Sequence, residues 1–163
     1  MNGGALKMDT RELRNCFGKF ATGVTVVSFK DDDGNRSGIT VNSFTSVSLD
    51  PALVLVSIDK RAKALQGLKN RNFIVNILAS DQENIAWQFA GRPQDDLVIN
   101  WEDTMIGPKI GGALATIECL PWKEYDGGDH VLFIGEVKEF SYQNESALMF
   151  FNGSFLNTKV NQS

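Results

Sequence analysis

The sequence is poor in histidine and cysteine, with one His and two Cys in 163 residues. Cys16 and Cys119 stand far apart, and neither they nor His130 fall into a Cys-x-x-Cys or Cys/His ligand spacing. That excludes the common zinc sites, which draw on several such ligands. It also argues against a disulfide framework, so both thiols are expected to be free and buried as small hydrophobes. Positive charge is in deficit as well: 16 Lys and Arg face 20 Asp and Glu, for a net charge of −4. The basic face expected of a nucleic-acid binder is therefore missing. No apolar run approaches the ~20 residues of a membrane helix. The stretch from Met1 to Lys7 lacks the apolar centre of a secretory signal. A cytoplasmic protein is the expectation. Internal repeats, low-complexity linkers and the GxGxxG dinucleotide fingerprint are likewise absent.

What the chain does have is a globular composition, 42% hydrophobic and 22% charged, over a length that suits one domain spanning 1–163. Such a chain can bury a core without disulfide or metal staples. Asp9 or Thr10 can cap a first helix, on which Leu13, Cys16, Phe17 and Phe20 form one apolar stripe. The period then changes: Val24 to Phe29 is β-branched or aromatic, a strand composition. Asp31 to Asn35 is a turn cluster, so Ser37 to Val41 should pair back as a hairpin.

Asp50-Pro51 breaks a weakly alternating Thr45–Ser48, and Ala52 to Ile58 is a continuous apolar run of strand length. A short helix over Ala62 to Leu68 precedes a strand at Phe73 to Leu78. Asp81 should cap a helix whose Ile85, Ala86 and Phe89 face inward, ended by Gly91 and Pro93. Further strands are expected at Ala113 to Leu120, Val131 to Phe140 and Leu148 to Phe151. The polar stretch 94–108, with Trp101 and Met105, reads equally as a flap over a site or an irregular loop. About seven strands and three short helices result, several joined by turns too short for a crossover helix. The expected fold is mostly β with short helices, an antiparallel sheet closed into a barrel.

Chemistry concentrates between Gly38 and Ser48, where small hydroxyl residues, an amide and a glycine let a ligand approach the backbone. A Ser/Thr-rich strand edge would look the same. Ser57, Lys60, Arg61 and Lys63 cluster after a buried strand, which suits a phosphate but also a solvated face. His130 by itself is a half-exposed histidine at a strand start. Within a strand, Asp129 and His130 would point to opposite faces, so no acid–base dyad is expected.

Taken in order, these segments acquire a family likeness. Phe20-Ala-Thr-Gly-Val-Thr-Val-Val27 is followed by Gly38-Ile-Thr-Val-Asn-Ser-Phe-Thr-Ser-Val-Ser-Leu-Asp-Pro51 and Leu53-Val-Leu-Val-Ser57. Then come Phe73-Ile-Val-Asn-Ile-Leu78, Asp81-Gln82, Phe89-Ala-Gly91, Gly127-Gly-Asp-His130, Ile134-Gly-Glu-Val137 and Phe151-Asn-Gly153. In this order and spacing they resemble the flavin reductase-like, FMN-binding split-barrel family, which includes the NAD(P)H:flavin oxidoreductase components of two-component monooxygenases. The likeness runs from the first helix to about Phe155.

It implies a split β-barrel, a homodimer with flavin near the subunit interface, and reduction of FMN or FAD by NADH or NADPH. By position, Thr40, Val41, Asn42 and Ser43 would line the isoalloxazine edge, with Ser46, Val47 and Ser48 beside them. Ser57 and Lys63 would hold the flavin phosphate, while Phe89, Gly91 and Arg92 close the site. His130 would sit near the nicotinamide. Pro51-Ala52 replaces a double proline common in the family, which touches turn stiffness only. The reduced flavin would be released or passed to a separate oxygenase. Two other functions remain open at this level: a flavin-binding electron-transfer or storage protein on the same barrel, and a barrel stacking single-stranded nucleic acid on its aromatics, which the negative charge disfavours.

Overall fold

The computed structural model describes residues 7–157. Helix α1 (Thr10–Phe17) is capped by Asp9, whose carboxylate accepts the backbone N–H groups of Arg11 and Glu12. The short β1 (Thr22–Gly23) leads into the hairpin β2 (Thr25–Lys30) and β3 (Arg36–Val41). Asp31 organises the turn between them by accepting the N–H groups of Asp33 and Asn35. Next come β4 (Thr45–Leu49), β5 (Ala52–Asp59), α2 (Leu65–Leu68), β6 (Phe73–Ile77) and α3 (Glu83–Gln88). The chain continues through β7 (Trp101–Asp103), β8 (Pro108–Ile110), β9 (Ala115–Gly127) and β10 (His130–Tyr142). It ends in β11 (Leu148–Phe151) and β12 (Ser154–Asn157).

Seven strands make one antiparallel sheet in the order β3-β2-β6-β9-β10-β5-β4. Its two free edges are β3 and β4, and the loop between them returns the chain from one edge to the other. Ser43, in that loop, closes the gap: its hydroxyl donates to the Ser57 carbonyl at 2.9 Å and accepts the Ser57 N–H at 3.0 Å. The expected antiparallel barrel is present, and it is split where Ser43 replaces a ladder.

Alternation fills the interior. Val27 and Phe29 of β2, Val54, Val56 and Ile58 of β5, Phe73 and Val75 of β6, and Val131 and Phe133 of β10 point into one core. Gly135 lies on that inner face because a Cβ there would come within 2.6 Å of the Phe73 ring. A second core lies outside the sheet, where Val24, Val26, Leu78, Ala86, Ile110 and Leu148 pack beneath α3, β8 and β11. Strand β2 serves both cores, so Thr25 to Phe29 are all buried.

Several expectations are corrected. Among the described residues twelve strands form rather than about seven, because short pairs (β7–β8 and the β1–β11–β12 sheet) accompany the barrel. Helix α2 covers only Leu65–Leu68, and α3 starts after Gln82 rather than Asp81. There the Gln82 side chain folds back to accept the Ala79 N–H. Cys119 is buried, and burial raises its thiol to about 12, but Cys16 is exposed. The reason is that α1 buries none of its residues: Phe17 is 67% exposed, and Phe20, just past the helix, is 79% exposed. Among the described residues, no helix is long and apolar enough to cross a membrane.

Candidate functional site

The loop that spans the split carries the richest polar sequence, and cavities open on both sides of it. One, of about 520 Å³, is lined by Phe20, Thr22, Thr25, Asn42, Ser43, Phe44, Thr45 and Ile77. The other, of about 290 Å³, is a mainly apolar cleft between Thr40–Asn42 and the rings of Trp87, Phe150 and Phe155. The β2–β3 ladder ends at Val41, so the peptides of Asn42, Ser43 and Phe44 lie beyond it. Thr22 supplies an independent clue. Its hydroxyl is buried with no hydrogen-bond partner, at the wall of the larger cavity. A buried polar atom left unpaired costs about 1–3 kcal/mol, and a ligand with a polar edge would relieve it.

The expected residues do not all share one place. Thr40, Val41, Asn42 and Ser43 do come together around the two cavities. Their free groups are fewer than the sequence suggests, however. Thr40 donates its N–H to the Phe89 carbonyl at 3.0 Å and its hydroxyl to the Ala86 carbonyl at 2.7 Å. The Ser43 hydroxyl is occupied by Ser57, so that residue offers a ligand its peptide more than its side chain. Ser46 and Ser48 pair with Val54 and Leu53, and the bulge between them leaves Val47 unpaired and 45% exposed.

Phe89, Gly91 and Arg92 follow α3. Phe89 is the C-cap and packs against Gly38, where a Cβ would lie only 3.2 Å from its ring. Gly91 has φ +82°, a left-handed turn that glycine adopts freely. Arg92 stacks its guanidinium 4.6 Å over Trp87, beside the smaller cleft.

Ser57 and Lys63 are not brought into one cavity. Lys63 lines a separate hollow of about 390 Å³ with Ser37, Gly38 and the Asp31–Asp33 turn, whose charge opposes an anion. Of the three bases, Lys60 pairs with Asp126 and Arg61 with Asp59, while Lys63 has no ion pair among the described residues. The Arg61 side-chain and backbone hydrogen bonds hold the Asp59 carboxyl down at about 2, with a smaller contribution from His130. His130 itself corrects an expectation. Its Nδ1 lies 2.7 Å from the Asp129 carboxylate, so the two do form a pair. Alternation failed because Asp129 belongs to the turn, set by Gly128 at φ +72°, and only His130 belongs to β10.

Sequence reading passed over Phe20, Thr22, Phe44 and Ile77 as cavity walls, along with Trp87 and Phe155. The signal for Thr22 was its place in the Phe20-Ala-Thr-Gly motif, quoted there only for the family likeness.

The fold and this loop-lined seam define a split-barrel protein with open cavities at the barrel seam. Comparison with known proteins makes the class particular. Residues 17–159 match the model of the flavin reductase like domain. An NADH-dependent flavin reductase from a Rhodococcus species is 38% identical over 146 residues, 88% of this chain and 83% of that protein. The FMN reductase (NADH) SmoA of Agrobacterium fabrum is 40% identical, covering 90% and 85%. Among solved structures, the flavin reductase PheA2 superposes with a TM-score of 0.88 at 42% identity, covering 95% of this chain and 100% of that one. The chain belongs to the flavin reductase-like family, as its motifs led one to expect. It spans only 48% of another relative, the reductase component of a trigonelline monooxygenase from Acinetobacter baylyi, to which it is 42% identical.

The observed donors fit a flavin. The larger cavity offers apolar walls from Phe20, Phe44 and Ile77 for a flat ring, with the unpartnered Thr22 hydroxyl and the Asn42–Ser43 peptides for its polar edge.

Proposed function

We propose that this chain is a cytoplasmic NADH-dependent flavin reductase that reduces FMN or FAD and hands the product to a separate oxygenase. The match of residues 17–159 to the flavin reductase-like domain carries the reading. Relatives named as the FMN- or FAD-reducing type support NADH as donor and leave both flavins as acceptors. The NADH:FAD oxidoreductase of Streptomyces globisporus, solved with NAD and FAD fragments, superposes with a TM-score of 0.82 at 38% identity. Relatives named as the reductase component or subunit of flavin-dependent monooxygenases, and a solved flavin reductase component of a two-component tryptophan halogenase, support the hand-over.

Flavin, when bound, supplies the hydride acceptor, and the chemistry belongs to the two cofactors. The chain contributes position and charge. Thr40, Val41, Asn42 and Ser43 seat the ring, with Ser46, Val47 and Ser48 at its border. Fixed peptide dipoles at Asn42 and Ser43 favour negative charge on the reduced ring. Lys63, with no ion pair among the described residues, would have to reach the flavin phosphate from its separate hollow, and Phe89, Gly91 and Arg92 bound the site from α3. Asp129 holds the His130 ring by Nδ1, which would leave Nε2 to meet a nicotinamide.

A homodimer belongs to the same reading. Phe17 and Phe20 on the α1 side, with Leu49 at 96% exposure on the free edge β4, form apolar surface that one chain leaves wet. Phe20 also walls the larger cavity, so a second copy covering this surface would border the flavin. The test is the visible spectrum of purified protein with each flavin, before and after anaerobic NADH. Rapid bleaching is expected. Bound flavin that stays yellow would favour an electron-transfer or storage role instead.

A further inference from the structure

Strand β3 delivers Thr40 to Ser43 to the site, yet it is a sheet edge with a ladder on one side only. Its other side is held by groups that come from elsewhere. The N–H of Thr40 is taken by the Phe89 carbonyl, and the Phe89 ring wedges against Gly38. The ring in turn meets Trp101, edge to face, with centroids 5.9 Å apart at 71°.

Trp101 is itself fixed from the barrel. It pairs across the β7–β8 ladder with Ile110, whose N–H is accepted by the Asn76 side chain at 2.8 Å. Asn76 is fully buried on β6 and also donates to the Val26 carbonyl and the Ser28 hydroxyl, each at 2.8 Å. Ser28, equally buried, donates to the Pro108 carbonyl at 2.6 Å. Two buried polar side chains thus anchor the β7–β8 hairpin to the barrel wall. On the outside, Asp103 of the same hairpin accepts a two-pronged pair from Arg36, the first residue of β3. The hairpin therefore grips β3 at its start through Arg36, and near its end through Trp101 and Phe89.

We infer that Trp101 is a positioning residue: from the anchored β7–β8 hairpin it sets, through Phe89, the place of the Gly38–Ser43 segment and hence the affinity for flavin. The segment 94–108 is then a brace for the site. An edge strand with one ladder has only such contacts to fix its free side, so slackness at Trp101 passes directly to the peptides of Asn42 and Ser43.

This rests on the flavin reading, and the experiment separates the two. Trp101→Leu, Trp101→Phe and Asp103→Asn are compared with wild type by equilibrium dialysis against FMN, well below each Tm, with kcat and KM for NADH measured at saturating FMN. Trp101→Leu should raise the FMN Kd roughly 2- to 13-fold, the range of one edge-to-face aromatic pair. Trp101→Phe should restore it to near wild type, and the KM for NADH should not move. Asp103→Asn, an exposed change that folds whatever Trp101 does, should shift Kd in the same direction. Unchanged Kd in both Trp101→Leu and Asp103→Asn, or equal loss in the Leu and Phe variants, would overturn the inference while leaving flavin reduction intact. Wild type that takes up no FMN or FAD would sink the flavin reading first, and this with it.

Discussion

Ser43 makes the sharpest test of how barrel closure and flavin binding share one side chain. Replacing it with Ala removes both hydrogen bonds to the Ser57 peptide, at 2.9 and 3.0 Å, and leaves a half-buried N–H and carbonyl without partners. Two such bonds at about 0.5–1.5 kcal/mol each give a loss of about 1–3 kcal/mol. For a chain of this size that is a fall in Tm of roughly 2–12 °C. The assay is thermal unfolding by circular dichroism, with and without saturating FMN. The fall with FMN present should be the larger in kcal/mol, since a ligand that binds the variant more weakly stabilises it less. Flavin affinity should also drop, because Asn42 and Phe44 flank the released residue. A variant that melts with wild type would refute the closure, showing that water serves the Ser57 peptide as well as Ser43 does.

Three further outcomes follow from the site. Changing His130 to Ala should leave flavin affinity unchanged and lower kcat/KM for NADH by roughly 2- to 13-fold, the loss of one neutral hydrogen bond; equal anaerobic bleaching rates would return His130 to a packing role. Lys63→Ala should weaken flavin binding by about 1.5–3 kcal/mol if Lys63 meets the phosphate, and an unchanged titration would mean that the Asp31–Asp33 turn keeps anions out of its hollow. Asp59, held at about 2 rather than 3.8, contributes stability that is present above the unfolded value and lost as pH falls through the folded one. Arg61→Ala should bring its carboxyl NMR titration back up toward the ordinary range, and an unmoved midpoint would mean that Arg61 does not hold it.

Much of the barrel was legible because its signals are local. The β-branched run at Val24–Phe29, the turn at Asp31–Asn35 and the continuous apolar run at Ala52–Ile58 each follow from residues near in sequence. What escaped depends on partners far along the chain. The apolar face of α1 looked like core, yet nothing in the described chain covers it. Trp101 looked like a loop aromatic, because its position comes from Asn76, which is far away in sequence. The Asp129–His130 pair was excluded by a parity rule valid only inside a strand. At the site, motif order pointed to the loop at Asn42 and Ser43, but could not show that Ser43 spends its hydroxyl on Ser57, nor that Thr22 has none to spend it on.

Because β2 forms a wall of both cores, the barrel interior and the outer layer have no independent way to loosen. Native-state hydrogen exchange should find Val26, Val27 and Ser28 opening only with the whole molecule, and β6 alongside them through the Val27–Val75 register. Uptake and release of a flavin, on the function proposed above, would then leave the sheet untouched. Traffic would fall to the seam between β3 and β4, where a single serine hydroxyl stands in for a row of backbone bonds.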